Sequence, residues 1–163
     1  MLKYLNTDIV FQEVPDETSL AINITGCPCR CPGCHSPHLW GDTGLPLDTK
    51  AIDSMMASQG ENITCVCFMG GDAAPCQVES LAAYIHRCYP RHKVAWYSGR
   101  QYVPHNIDKQ QFDYIKVGPY IAHLGSLKSI HSNQYMLKRM NDGTFVNITH
   151  RFRRLADAAP RSA

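Results

Sequence analysis

The sequence predicts an α/β fold, a partial (β/α) barrel of parallel strands. Three observations lead there. Short apolar runs alternate with segments of helical periodicity. Each apolar run is stopped by glycine or proline, which punctuate regular structure. And 163 residues are enough for one domain with a real core.

The elements follow in order. Ser19-Leu20-Ala21-Ile22-Asn23-Ile24 is largely apolar and reads as a strand. It feeds Gly26-Cys27-Pro28-Cys29-Arg30-Cys31-Pro32-Gly33-Cys34, too rich in Gly and Pro for regular structure. Positions 47–58 form a helix capped by Asp48 or Thr49. Positions 63–69 are a short buried strand rich in β-formers, halted by Gly70-Gly71-Asp72. Positions 78–88 carry helical periodicity through Val78, Leu81, Ala82 and Ile85, and Pro90 ends that helix. Lys93 to Tyr97 is the next strand, stopped by Ser98-Gly99. Tyr114 to Val117 follows, stopped by Gly118-Pro119, and positions 145–148 make a last short strand. Residues 1–150 are expected to form the domain. Residues 151–163 read as a basic tail whose last residues are disordered.

Composition narrows the class. Hydrophobic residues at 44% and charged residues at 18% exclude a disordered chain. A net charge of +2 gives no case for nucleic acid or a membrane surface as partner. No apolar run approaches the ~20 residues of a membrane helix, and the first residues lack the pattern of a signal peptide. A cytoplasmic location is the expectation. In such a reducing compartment, eight cysteines point to metal binding or catalysis before disulfides.

Parallel strands also say where to look. Ligands sit outside their carboxyl ends. The cysteine loop and the turns at Gly70, Ser98 and Gly118 all follow strands, so a parallel sheet brings all four to one edge.

Four cysteines, at 27, 29, 31 and 34, fall within eight residues. Thiolates are the soft ligands that iron–sulfur clusters and zinc prefer. Structural zinc wants four protein ligands. Cys31 and Cys34 supply half of such a site, and Cys65-x-Cys67 is the one close downstream pair. Cys27-x3-Cys31-x2-Cys34 supplies three ligands and leaves one iron of a [4Fe-4S] cluster open for a substrate. Cys65, Cys67, Cys76 and Cys88 are expected to pack as small hydrophobes.

The motif Cys27-x3-Cys31-x2-Cys34 after an apolar strand resembles the radical S-adenosylmethionine (SAM) signature. The Gly-Cys-x3-Cys-Pro-Gly-Cys loop, Met69-Gly70-Gly71-Asp72, Trp96-Tyr97-Ser98-Gly99, Gly118-Pro119-Tyr120 and Ser132-Asn133-Gln134 narrow it. Together with the short chain, they are similar to the activating proteins of anaerobic ribonucleoside-triphosphate reductases. The resemblance covers about residues 1–140 and is strongest in the loop. It implies a radical SAM type of partial barrel and two cofactors, a [4Fe-4S] cluster and SAM. Cys27, Cys31 and Cys34 would hold the cluster and carry the redox step. Gly70, Gly71 and Asp72 would bind the SAM amino group, with Ser98 and His35 as further SAM contacts. Cys29 stands in the variable part of the motif and is expected to be a spare thiol.

The implied reaction is reductive cleavage of SAM, followed by removal of a hydrogen from a glycine of the reductase. The implied partners are that reductase and a low-potential electron donor such as flavodoxin. Val14-Pro15-Asp16-Glu17-Thr18 replaces the Gly-Pro-Gly common in that family, and Gly33 stands, as in that family, where the wider superfamily often has an aromatic. Lys116 is expected to face solvent, with a SAM carboxylate as the other reading. The alternatives are an activase of another glycyl-radical enzyme, of the pyruvate formate-lyase type, a small-molecule radical SAM enzyme, or a non-enzymatic iron–sulfur or zinc module.

Overall fold

The computed structural model describes residues 1–157 of the chain. Among them, eight strands form one mixed sheet. They are β1 (Lys3–Val10), β2 (Ser19–Ile24), β3 (Leu45–Pro46), β4 (Cys65–Met69), β5 (Lys93–Tyr97), β6 (Tyr114–Val117), β7 (Tyr135–Arg139) and β8 (Phe145–Asn147). Their order is β3-β1-β2-β4-β5-β6-β7-β8. The central four, β2, β4, β5 and β6, run parallel. Antiparallel strands flank them on both sides. The sheet is thus wider than the all-parallel arrangement that the sequence predicts. Strands β1, β3 and β7 are additions to that expectation.

Two helices connect the parallel strands. Helix α1 (Thr49–Gln59) begins where the Asp48 carboxylate accepts from the Ala51 N–H at 2.9 Å, an N-cap. Helix α2 (Pro75–Cys88) starts three residues earlier than the apolar periodicity does. Pro75 occupies its first turn, where a missing N–H costs nothing. From β5 to β6 the chain passes through only a short 3-10 turn, Lys109–Gln111.

Alternation along each strand divides the core in two. On one face Ile22, Val66, Phe68, Val94, Trp96 and Ile115 meet Ile52 and Met56 of α1 and Val78, Leu81, Ala82 and Ile85 of α2. On the other face Cys65, Cys67, Ala95, Tyr114 and Met136 lie beneath Val14, Leu127, Ile148 and Phe152. Parallel strands are stable only when both faces are covered. Here helices cover one face, while loops and a third helix cover the other.

The segment that departs from the family pattern belongs to this second cover. Val14 is fully buried. The buried Glu17 carboxylate accepts from Lys93 Nζ, from Thr64 Oγ1 at 2.7 Å and from the Tyr114 hydroxyl at 3.0 Å. A buried carboxylate is tolerable only with such a full set of donors.

Helix α3 (His150–Asp157) begins one residue before the expected tail and takes in its first residues. Phe152 is buried in the second core, and Arg151 makes a two-pronged pair with Asp16 at 2.5 and 2.8 Å. The apolar Ile148 and Phe152 find cover under the sheet, which the basic composition of the segment conceals. The expected disorder of the last residues falls on positions 158–163, outside the described residues. Cys76 and Cys88 also differ from expectation: both are exposed, although Cys88 continues the apolar stripe of α2. No helix among the described residues is long and apolar enough to cross a membrane.

Replacing Phe152 by Ala tests whether α3 is part of the domain. The expected cost is about 3 kcal/mol, that of emptying a buried aromatic site. Urea unfolding of the variant reads it, and an unchanged midpoint would place α3 outside the cooperative unit.

Candidate functional site

The parallel register brings four turns to the carboxyl edge of the sheet. β2 runs into the cysteine loop, β4 into Gly70-Gly71-Asp72, β5 into Ser98-Gly99 and β6 into Gly118-Pro119. Backbone bonds continue the sheet through these turns. Gly70 N donates to Tyr97 O at 2.9 Å, Ser98 N to Lys116 O at 2.8 Å and Gly118 N to Arg100 O at 2.7 Å.

The cysteine loop is folded back by two bonds, Gly26 N to Gly41 O (2.9 Å) and Cys27 N to Leu39 O (3.1 Å). Cys34 N donates to Cys31 O at 3.0 Å and closes its far end. Cys27, Cys29, Cys31 and Cys34 are all free and half-buried. The Ser36 N–H reaches Cys34 Sγ at 3.4 Å, an amide aimed at a sulfur.

Asp72 is the best-held side chain at this edge, only 1% exposed. Its Oδ1 accepts from Ser98 Oγ at 2.6 Å and its Oδ2 from Gly99 N at 2.9 Å. Its main-chain carbonyl accepts from Arg100 Nη2 at 2.7 Å. The Gly70 carbonyl accepts from Trp96 Nε1 at 2.8 Å. Glycine is required at 71: its φ is +88°, and a Cβ there would stand 2.5 Å from Val78 of α2.

Residues 18–120, well over half of the chain, match the family model described as a 4Fe-4S single cluster domain. The chain belongs to that family. No curated protein matches it, and no solved structure does.

A 4Fe-4S single cluster domain needs thiolates on one flexible loop, and the donor set here fits. Cys27, Cys31 and Cys34 would hold the cluster, each on a different iron. Such ligands stand further apart than those of a single ion, so they form no tight trio. Among the described residues, the one group of three ligand atoms within 4.8 Å of one another is Cys27, Cys29 and Asp72. Two features describe that group as a hydrogen-bonded corner. Both Asp72 oxygens already accept from Ser98 and Gly99. The Cys29 thiol is pushed up to about 12, first by burial and then by the Asp72 charge. Its sulfur lies 4.0 Å from Asp72 Oδ2.

Cys65 and Cys67, the second half of the zinc reading, are fully buried in the inner-face core, and burial pushes both thiols up.

The remaining expected residues divide as follows. Ser98 is buried against Asp72. His35 meets the Tyr120 ring edge to face, with centroids 5.0 Å apart. Both His35 and Cys34 line a cavity of about 480 Å³ with Met69, Tyr97, Lys116 and Gln134. Lys116 does not face solvent. It is 8% exposed, and its Nζ donates to the carbonyls of Gly118 (2.8 Å) and Ser98 (3.4 Å). Burial lowers its pKa to about 8, against the opposing pull of Asp72 and the loop cysteines. Arg100, which holds the Asp72 carbonyl, stands one residue beyond the Trp96-Tyr97-Ser98-Gly99 segment.

Iron content separates the four thiols. After anaerobic reconstitution, Cys29→Ala should carry as much iron and acid-labile sulfide per chain as the wild type. Cys27→Ala, Cys31→Ala and Cys34→Ala should lose most of it. Loss of iron from the Cys29 variant alone would make Cys29 a fourth ligand.

Proposed function

We propose that this 4Fe-4S single cluster domain is a radical SAM enzyme that activates an anaerobic ribonucleoside-triphosphate reductase by generating a glycyl radical on it. The observation that carries this reading is a juxtaposition. A loop with three available cysteine ligands, a locked Gly70-Gly71-Asp72 turn and a cavity of about 480 Å³ share the carboxyl edge of four parallel strands. Three ligands leave one iron of four without a protein donor, and the cavity beside Cys34 has room for a second molecule.

When bound, the cluster supplies one low-potential electron. The chain's own residues bind and orient. Gly70 and Gly71 allow main chain to approach a ligand closely. Ser98, Gly99 and Arg100 hold Asp72 and fix that turn before anything binds, the preorganisation that a cofactor site needs. The His35 and Tyr120 rings give the cavity an aromatic wall suited to a planar base. No side chain need act as general acid or base. The four parallel central strands are compatible with the partial barrel that this activity implies.

The test is chemical. The protein is reconstituted without oxygen, reduced by dithionite or by a reduced flavodoxin, and given SAM. The expected product is 5′-deoxyadenosine, formed by the wild type and absent with Cys31→Ala. Adding an anaerobic ribonucleoside-triphosphate reductase should then yield a glycyl radical by electron paramagnetic resonance. A radical formed on a pyruvate formate-lyase instead would reassign the partner. An iron-loaded, reducible protein that makes no 5′-deoxyadenosine, with or without the reductase, is an electron carrier and not an activase.

A further inference from the structure

Lys116 is out of place by every local rule. It sits on β6 with its side chain in the interior, 8% exposed, where a lysine is rare unless paired with an anion. Both of its acceptors, the Ser98 and Gly118 carbonyls, are neutral. Among the described residues, no carboxylate oxygen lies within 4.0 Å of its Nζ. A buried ammonium with only neutral partners marks a place where negative charge is missing.

What it faces is informative. Lys116 lines the same cavity as Cys34. The groups whose ionised forms would raise its pKa against burial are Asp72 first and then the loop cysteines, with Cys31 and Cys34 among the candidate ligands. Asp72 is already engaged by Ser98, Gly99 and Arg100. The thiolates of a bound cluster would bring further negative charge to this cavity through Cys34. Three thiolates on a [4Fe-4S] core of charge +2 leave the oxidised centre at −1, and uptake of one electron takes it to −2. A fixed positive charge nearby favours the more negative state. Burial protects that effect from solvent screening.

We propose that Lys116 is the built-in counter-charge of the iron–sulfur centre, a positioning residue that raises its reduction potential and so makes one-electron reduction attainable. The two carbonyls hold the ammonium in place, and its charge acts across the cavity without being a ligand. This inference rests on the family's cluster and is independent of whether SAM is the substrate.

The experiment compares the reconstituted wild type with Lys116→Met and Lys116→Arg. Iron and sulfide per chain and far-ultraviolet circular dichroism are read first. The midpoint potential is then taken from a redox titration followed by electron paramagnetic resonance. At a fixed solution potential, Lys116→Met is expected to hold full iron but to show an about tenfold lower ratio of reduced to oxidised cluster. Tenfold is about 59 mV for a one-electron couple. Lys116→Arg, which keeps the charge, is expected to stay near the wild type. Equal potentials in all three proteins overturn the proposal. So does an equal shift or equal loss of iron in Met and Arg variants, since shape and not charge would then matter. A wild type that takes up no iron fails differently, because it removes the cluster itself.

Discussion

A carboxylate sealed inside the sheet edge organises the rest of the site. Asp72 lies at the end of β4, yet its oxygens belong to the turn after β5, through Ser98 Oγ and Gly99 N. Hydrogen bonds to an ionised carboxylate are short and strong, and an unpaired one buried here would be costly. The carboxylate therefore cannot leave its donors without a large penalty. Arg100 adds a second tie through the Asp72 carbonyl. Two neighbouring turns become one rigid rim. Gly71 makes the rim possible, since any side chain there would collide with α2. The cysteine loop rests against this rim through Cys29, in a corner that the missing side chain of Gly99 leaves open: a Cβ there would be 2.9 Å from Cys29 Sγ.

The sheet beneath imposes the other constraint. Its parallel strands must be buried on both faces, but the chain supplies only two helices between them. The inner face is covered instead by pieces from both ends of the sequence, Val14 from one and Leu127, Ile148 and Phe152 from the other. Glu17 and the Arg151–Asp16 pair hold these pieces down. Cover is complete toward the amino ends of the strands, where Cys65 is fully buried. Toward the carboxyl ends it gives way to the cavity, where Met69 and Tyr97 are only partly buried.

Much of this was legible in the sequence because it rests on local signals. Lys93–Tyr97 and Tyr114–Val117 are found with the expected bounds, since apolar β-formers between turn residues leave little choice. Asp48 announces α1 and does cap it. The meeting of four turns at one edge followed from counting parallel strands. What could not be read was whatever depends on distant cover. Strand β1 is polar enough to pass for loop, because it is paired on both sides but fully buried at no position. Phe152 stands in a basic segment, and only the inner face explains its burial. Lys116 looks like a solvent-facing lysine on any strand until Leu127 and Gln134 are known to pack over that face. Cys29 was separable from its neighbours by motif alone, but what raises its thiol, burial first and then the charge of Asp72, depends on a contact 43 residues away.

The same gradient of cover sorts the cysteines into two chemical kinds. Cys65 and Cys67 are one strand with Met69, on one face, separated only by distance along β4. At the sealed end burial raises the thiols and makes them inert packing groups. At the open end, beyond the strands, Cys27, Cys31 and Cys34 keep partial access to solvent, and the Ser36 amide is directed at the Cys34 sulfur. A cluster needs thiolates that can be reached during assembly and an environment that tolerates its charge afterward. The edge supplies the first through exposure of the loop and the second through a lysine buried at its inner border. Between Cys65 and Cys67 and the three candidate ligands, the difference is thus position along the sheet, while Cys29 in the same loop is set apart by burial beside Asp72.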